Sequence, residues 1–267
     1  MRSRLDRPDG GHLAYEVRGE GRPVMLVAGL GGAGAFWNGG GFAQRCVEAG
    51  LQVILHDHRG TGASSRCDRP YSIASMASDV LALMDHLGIE RAALAGHSTG
   101  GAIGQVLALE TPDRISRLVL SATWARSCAY FRRLFEARLE ILERLGFGAY
   151  RRHAALVLNP PYWIAAHEGE LVAELQAGAE HPMDREITRR RIRAILAHDV
   201  LDRLAAITCP THVVVAADDA VTPAYHSQAL AQAIQGASLQ ILPRGGHFLN
   251  RAEPEAYAGA VIPFLTA

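Results

Sequence analysis

Unbroken apolar runs and helix-spaced apolar positions take turns along this chain, and the alternation predicts a sheet layered between helices. The segment His12-Leu13-Ala14-Tyr15-Glu16-Val17-Arg18 alternates apolar with polar positions, as a half-exposed antiparallel edge strand does. Residues 23–28 and 51–55 are continuous apolar runs instead, which suits parallel strands covered on both faces. Residues 73–87 carry apolar side chains near helical spacing and stop at Gly88. Residues 92–95, 117–121, 213–217 and 238–242 read as further strands, and 102–109 as an apolar-faced helix. Strands alternating with helices predict an α/β fold with a mostly parallel, doubly wound sheet and its chemistry at the carboxyl ends of the strands.

From Trp124 to Asp199 the alternation stops. This stretch is helix-like and rich in Arg and Glu, with Asn159-Pro160-Pro161 and Pro182 separating its helices. It is assigned as a helical cap, residues 124–199, inserted into a core made of residues 1–123 and 200–267. An independent helical domain is disfavoured, because the core needs the strands on both sides of the insertion. The length of 267 residues and a hydrophobic content of 49% suit one such fold with an insertion, since both faces of the sheet must be covered.

Charge narrows the partners. With 27 basic and 27 acidic residues the formal net charge is zero, so neither nucleic acid nor an anionic membrane is an expected partner. The basic residues are all arginine, which reads as a coding bias. The charged N-terminus has no apolar segment behind it, as a secretory signal would, and no apolar run is long enough to span a bilayer. Cys46, Cys67, Cys128 and Cys209 are scattered without C-x-x-C spacing, which fits free thiols in a reducing cytoplasm. The expected partner is a small-molecule substrate, with the chain a monomer or homodimer.

The chemistry-bearing stretch is Gly96-His97-Ser98-Thr99-Gly100-Gly101, a G-x-S-x-G sequence between a strand-like run and a helix-like run. A serine on such a sharp turn takes a strained backbone and presents its hydroxyl to a cleft, while small neighbours let the backbone crowd. The amide of Thr99, at the helix start, is placed to face a substrate oxyanion. The competing account is a glycine-rich turn whose serine caps the helix. A base and an acid downstream favour the catalytic account. Pro243-Arg244-Gly245-Gly246-His247-Phe248 follows a strand, as a loop presenting a general base does. The strand at 213–217 runs into Asp218-Asp219-Ala220-Val221-Thr222-Pro223, where a carboxylate would orient the His247 ring. The plainer account there is a helix start capped by Thr222 ahead of a first-turn proline.

These residues resemble the α/β-hydrolase superfamily over nearly the whole chain. Val24-Met25-Leu26-Val27-Ala28-Gly29-Leu30-Gly31-Gly32 is similar to the family's strand and oxyanion loop, which implies the Leu30 amide as second oxyanion donor. Ala28-Gly29 stands where many members have His-Gly. Asp57-His58-Arg59-Gly60-Thr61-Gly62-Ala63-Ser64 is similar to a structural turn of the family, and the family's G-x-x-D-x-x-x-P spacing selects Asp219 over Asp218 as the acid. The order Ser98, Asp219, His247 is the order the family uses. A narrower resemblance, carried by residues 28–37, 57–62, 71–73, 148–164 and 217–223, is to the aminoacrylate (or carbamate) hydrolases of pyrimidine catabolism. The 3-oxoadipate enol-lactonases share much of that pattern.

The expectation is a cofactor-free serine hydrolase in which Ser98, His247 and Asp219 act with the amides of Leu30 and Thr99. Its substrate is a small carbonyl compound, either a C–N bonded acid or an ester or enol-lactone. Two alternatives are a carboxylesterase with haloperoxidase or perhydrolase side activity, and a ligand receptor on a hydrolase scaffold. Trp124, Trp163 and Phe248 are expected to bind substrate, with Tyr130, Phe131 and Tyr162 as further liners, although packing is the commoner role of cap aromatics. In Arg189-Arg190-Arg191-Ile192-Arg193 one inward guanidinium would attract a carboxylate, against the commoner solvated helix face. His56 and His58 stand at a strand end with no further ligand cluster beside them, so no metal is expected. No dinucleotide fingerprint follows the first strand.

Overall fold

A computed structural model describes residues 2–8, 11–66, 70–177 and 181–267; Cys67 lies outside them. Its strands are β1 (Ser3–Asp6), β2 (His12–Arg18), β3 (Arg22–Val27), β4 (Leu51–His56), β5 (Ala92–His97), β6 (Ile115–Ser121), β7 (Thr211–Ala216) and β8 (Ser238–Leu242). They form one eight-stranded sheet in the order β1-β2-β4-β3-β5-β6-β7-β8. β3 to β8 run parallel, and β1 and β2 pair antiparallel at one end. Its helices are α1 (Phe42–Glu48), α2 (Ile73–His86), α3 (Thr99–Glu110), α4 (Ala129–Leu158), α5 (Pro161–Ala166), α6 (Glu168–Gln176), α7 (Asp184–Leu196), α8 (Ala224–Ala233), α9 (Leu249–Ala252) and α10 (Pro254–Thr266).

The apolar runs at β3, β5, β6 and β7 exist because both faces of these strands are covered. Met25, Val27, Leu94, Leu118, Leu120 and Val213 point into a core shared with α2 and α3. Their neighbours Val24, Leu26, Ala93, Ala95, Val119 and Val214 point the other way, into a core shared with α1 and α10. Period-two alternation between two cores keeps polar side chains toward the strand ends, as at Arg117, Thr211 and His97. Each fully buried Val, Leu or Ile contributes roughly 1.5–3 kcal/mol.

β3 pairs with β4 on one side and β5 on the other, so successive connections leave it in opposite directions. A crevice must open where the connections part, beyond the carboxyl ends of β3 and β5. Val27 and Gly96 pair across that seam, which puts the 28–32 loop and Ser98 side by side.

The strand at 12–18 is antiparallel as expected but is not the edge. Ser3–Asp6 adds β1 outside it, with Leu5 opposite Leu13. Four residues with one apolar side chain carry too little pattern to announce a strand. Thr222 is likewise no helix cap: α8 begins after Pro223 without a side-chain cap bond, and the Thr222 hydroxyl turns to Asp219. Helices α4 to α7 all lie between β6 and β7, and the chain leaves and returns through the Arg126–Asp199 bridge. No described helix is long and apolar enough to cross a membrane.

Candidate active site

Ser98 sits between β5 and α3 with φ +53° and ψ −116°, a conformation that costs an L-residue on the order of 1–3 kcal/mol. The turn is held tightly. The Ser98 amide donates to the Ser121 carbonyl at 2.8 Å, and the Thr123 hydroxyl donates to the Ser98 carbonyl at 2.7 Å. Glycine is required at two flanking positions. A Cβ on Gly96 would overlap the Gly100 carbonyl, and one on Gly100 would overlap the Val27 carbonyl. The Ser98 hydroxyl, by contrast, makes no hydrogen bond to a described residue and faces a cavity of about 560 Å³.

The loop after β3 lies directly against this serine: a Cβ on Gly29 would stand 3.2 Å from the Ser98 Cβ. Its carbonyls are taken up one by one. His58 Nε2 bonds the Ala28 carbonyl at 3.0 Å and Arg191 Nε donates to the Leu30 carbonyl at 2.9 Å. The His-Gly pair of many family members is absent here, and His58 and Arg191 hold the loop instead. The amides of Leu30 and Thr99 donate to no described group, Thr99 because it begins α3, where the first amides have no intrahelical acceptor.

His247 and Asp219 arrive from the loops after β8 and β7. His247 Nδ1 lies 2.9 Å from Asp219 Oδ2 and 3.1 Å from Oδ1, so Nε2 is the nitrogen left toward the cavity. Asp219 also accepts from the amides of Val221 (2.7 Å) and Thr222 (2.9 Å) and from the Thr222 hydroxyl (2.9 Å). Burial pushes its carboxyl upward, but the His247 charge and these donors outweigh it and hold the carboxyl below the usual range. Asp218 points elsewhere. Its Oδ1 accepts the Gly246 amide at 2.8 Å, pinning a loop in which Gly245 and Gly246 have φ +143° and +60°. Ser98 and His247 line the same cavity without a hydrogen bond between them.

Beside His247 stands a second imidazole. The His97 ring lies 4.8 Å from that of His247 and stacks on Phe36 at 4.6 Å. Burial first, and the neighbouring His247 charge second, hold its pKa well below the ordinary histidine value, so His97 is a neutral wall.

A sequence model described as the alpha/beta hydrolase fold matches residues 22–253. The chain belongs to the α/β-hydrolase fold family. It is a hydrolase by this membership and by its relatives. It is 38% identical over 259 residues to a protein of Caulobacter sp. (strain K31) named "Putative carbamate hydrolase RutD", covering 95% of this chain and 96% of that one. Among solved structures, a hydrolase from Pseudomonas aeruginosa PA01 superposes with a TM-score of 0.85 at 32% identity, covering 100% of this chain and 98% of that one. The enol-lactonase from Burkholderia xenovorans LB400 gives a TM-score of 0.88 at 27% identity, covering 99% and 100%.

Within this α/β hydrolase, Ser98, Leu30, His247 and Phe248 line one cavity, with Asp219 behind His247 and Thr99 buried beside Ser98. Two expected substrate-binding residues do not line it. Trp124 is fully buried against Phe131 and His198, in the segment between β6 and α4. Trp163 is buried between His167, stacked at 4.4 Å, and Arg251, whose guanidinium lies 3.8 Å above the ring. Both rings fill interior space because a bulky apolar surface buried among helices is worth more in packing than at a mouth. Tyr130, Phe131 and Tyr162 are absent from the lining as well. In their place stand Phe36, Phe135, Phe147, Tyr150 and the buried arginines Arg138 and Arg191. The inward arginine of the 189–193 run has a sequence signal, whereas Arg138 and Tyr150 carry none beyond their place in a helix.

Proposed function

We propose that this chain is a serine hydrolase of small carbonyl compounds that works with its own groups alone. Nε2 of His247 takes the proton of Ser98 as the hydroxyl oxygen attacks the carbonyl carbon. The Nδ1–H remains bonded to Asp219, which fixes the tautomer and stabilises the imidazolium. The free amides of Leu30 and Thr99 receive the oxyanion. His247 then returns its proton to the leaving group. Water, deprotonated by the same nitrogen, releases the acid and frees Ser98. Residues 124–199 act as a cap over this site in our reading, with the core at 1–123 and 200–267. The observation that carries the proposal is the Asp219-held His247 ring on the wall of the cavity that the strained Ser98 faces.

The bond cleaved by this route, in this reading, is an ester or enol-lactone bond or the acyl C–N bond of a carbamate-like acid. An aminoacrylate-like acid, whose C–N carbon is vinylic, would instead need water, deprotonated by His247, to add at that carbon with loss of ammonia and no acyl-enzyme. The names of the Caulobacter relative and the Burkholderia enol-lactonase support these classes. Wild type and Ser98→Ala are to be compared on nitrophenyl esters, enol-lactones and carbamates. Ser98→Ala is expected to lose at least about three decades of kcat with an unchanged circular dichroism spectrum. Full activity in that variant would mean direct attack by water and overturn the covalent route.

A further inference from the structure

Among the described residues five arginines line the cavity, Arg66, Arg138, Arg151, Arg191 and Arg251, against two carboxylates, Glu174 and Asp184. Both carboxylates are already engaged: Asp184 pairs with Arg66 at 2.9 Å and Glu174 with Arg251 at 2.8 Å. Arg138 and Arg191 are 3% and 1% exposed, and among the described residues no carboxylate pairs with either. Buried guanidinium groups without a counter-charge are rare, because desolvation disfavours the charge and nothing returns that cost.

Their existing bonds leave the charge and several donors unused. Arg191 reaches three backbone carbonyls, those of Leu30 at 2.9 Å, Arg59 at 3.3 Å and Gly29 at 3.5 Å, and a guanidinium has five N–H groups. Arg138 Nη2 donates to the Tyr150 hydroxyl at 2.9 Å, its carbon lies over the rings of Phe135 and Tyr150, and its buried Nε has no partner. The two cations share Tyr150: burial raises the pKa of its hydroxyl, while both guanidinium charges pull against that rise. Carbonyls and a phenol satisfy hydrogen bonds but neutralise nothing.

We propose that Arg138, Arg191 and the Tyr150 hydroxyl form a subsite for a carboxylate of the substrate that is separate from the carbonyl attacked by Ser98. The substrate is then a half-ester, carboxylate-bearing lactone or half-amide of a dicarboxylic acid. The inference rests on the reading of Ser98 as nucleophile and makes the substrate class narrower. A carbamate has a single carboxyl carbon, which is the reacting one, and would leave both arginines and most of the 560 Å³ unused. A dicarboxylic frame gives one end to Ser98 and the other to a bidentate guanidinium.

The test uses 4-nitrophenyl half-esters of glutarate and adipate beside the neutral 4-nitrophenyl pentanoate and hexanoate of matched length. Wild type is expected to prefer the half-esters by roughly 10- to 100-fold in kcat/KM, mainly through KM, as charge-assisted hydrogen bonds imply. Arg138→Met and Arg191→Met are each expected to lower that preference about tenfold or more, with Arg138→Lys recovering part of it. A second measurement is independent of turnover: calorimetric binding of monomethyl glutarate to Ser98→Ala, expected to weaken about tenfold when Arg138→Met is added. Equal rates for charged and neutral esters in wild type, unaltered by either arginine substitution, overturn the subsite and leave the Ser98 reading standing. Arg138-dependent binding together with full activity in Ser98→Ala upholds the subsite and overturns the nucleophile.

Discussion

Two adjacent carboxylates at the end of β7 differ in direction and burial, and replacing each by its amide separates their roles. Asp219→Asn keeps an oxygen to accept from the Val221 and Thr222 amides, which bond at 2.7 and 2.9 Å, so the loop has reason to stay in place. Its other atom becomes an NH₂ facing His247 Nδ1, 2.9 Å away. A donor there forces Nδ1 to accept, which moves the ring proton to Nε2 and leaves no lone pair for the Ser98 proton. Loss of the correct tautomer in a Ser-His-Asp system lowers kcat by about 10⁴, or some 5 kcal/mol of barrier at roughly 1.4 per decade. Folding stability falls by only about 1–3 kcal/mol, the value of a charge-assisted bond. Asp218→Asn, by contrast, retains an acceptor for the Gly246 amide and is expected to change kcat by less than about tenfold. Both variants are to be assayed as kcat and KM on an activated ester from pH 5 to 9, beside urea unfolding. Since His247 and the Thr222 and Val221 donors hold the Asp219 carboxyl low despite burial, wild-type rate losses on the acid side do not come from Asp219. An Asp219→Asn enzyme within tenfold of wild type, or an Asp218→Asn enzyme equally crippled, refutes the assignment.

Gly100→Ala places a methyl against the Val27 and Ala28 carbonyls and is expected to cost roughly 3 kcal/mol or more, read by urea unfolding; a variant as stable as wild type would show that the seam can spread. Burial lowers the His56 pKa to about 4. The unfolded chain, with an ordinary value near 6.5, therefore binds this proton first, and stability is lost as pH falls from about 6.5 toward 4. The stability difference between wild type and His56→Leu is expected to shift by about 2–3 kcal/mol between pH 7.5 and 4.5, and a pH-independent difference would contradict the linkage. Trp124→Phe and Trp163→Phe are expected to cost about 1–3 kcal/mol of stability with KM within about twofold of wild type. A selective rise in KM would return these rings to the substrate.

The chain's patterning was enough for the α/β alternation and the buried parallel strands, because burial on both faces admits only apolar runs, and for the run of helices between β6 and β7. Its short motifs were enough for the elbow as well: Gly96 and Gly100 are glycine because a Cβ at either would overlap backbone, and that constraint is local. β1 escaped notice because four residues with one apolar side chain leave no period to detect. The lining of the cavity escaped for a different reason. Trp124 and Trp163 have the composition of binding residues but are packed inside, whereas Arg138 has the composition of a surface but lines the cavity, and of the arginines at 189–193 it is Arg191 that lines it. Which face of an inserted helix meets the crevice depends on how the helices stack on the sheet, and helical spacing alone is the same for either face. Local sequence thus determined the sheet, the turn and the kinds of reactive group it offers. Tertiary packing decided what holds the 28–32 loop and what charge the cavity carries, because each depends on contacts between segments remote along the chain.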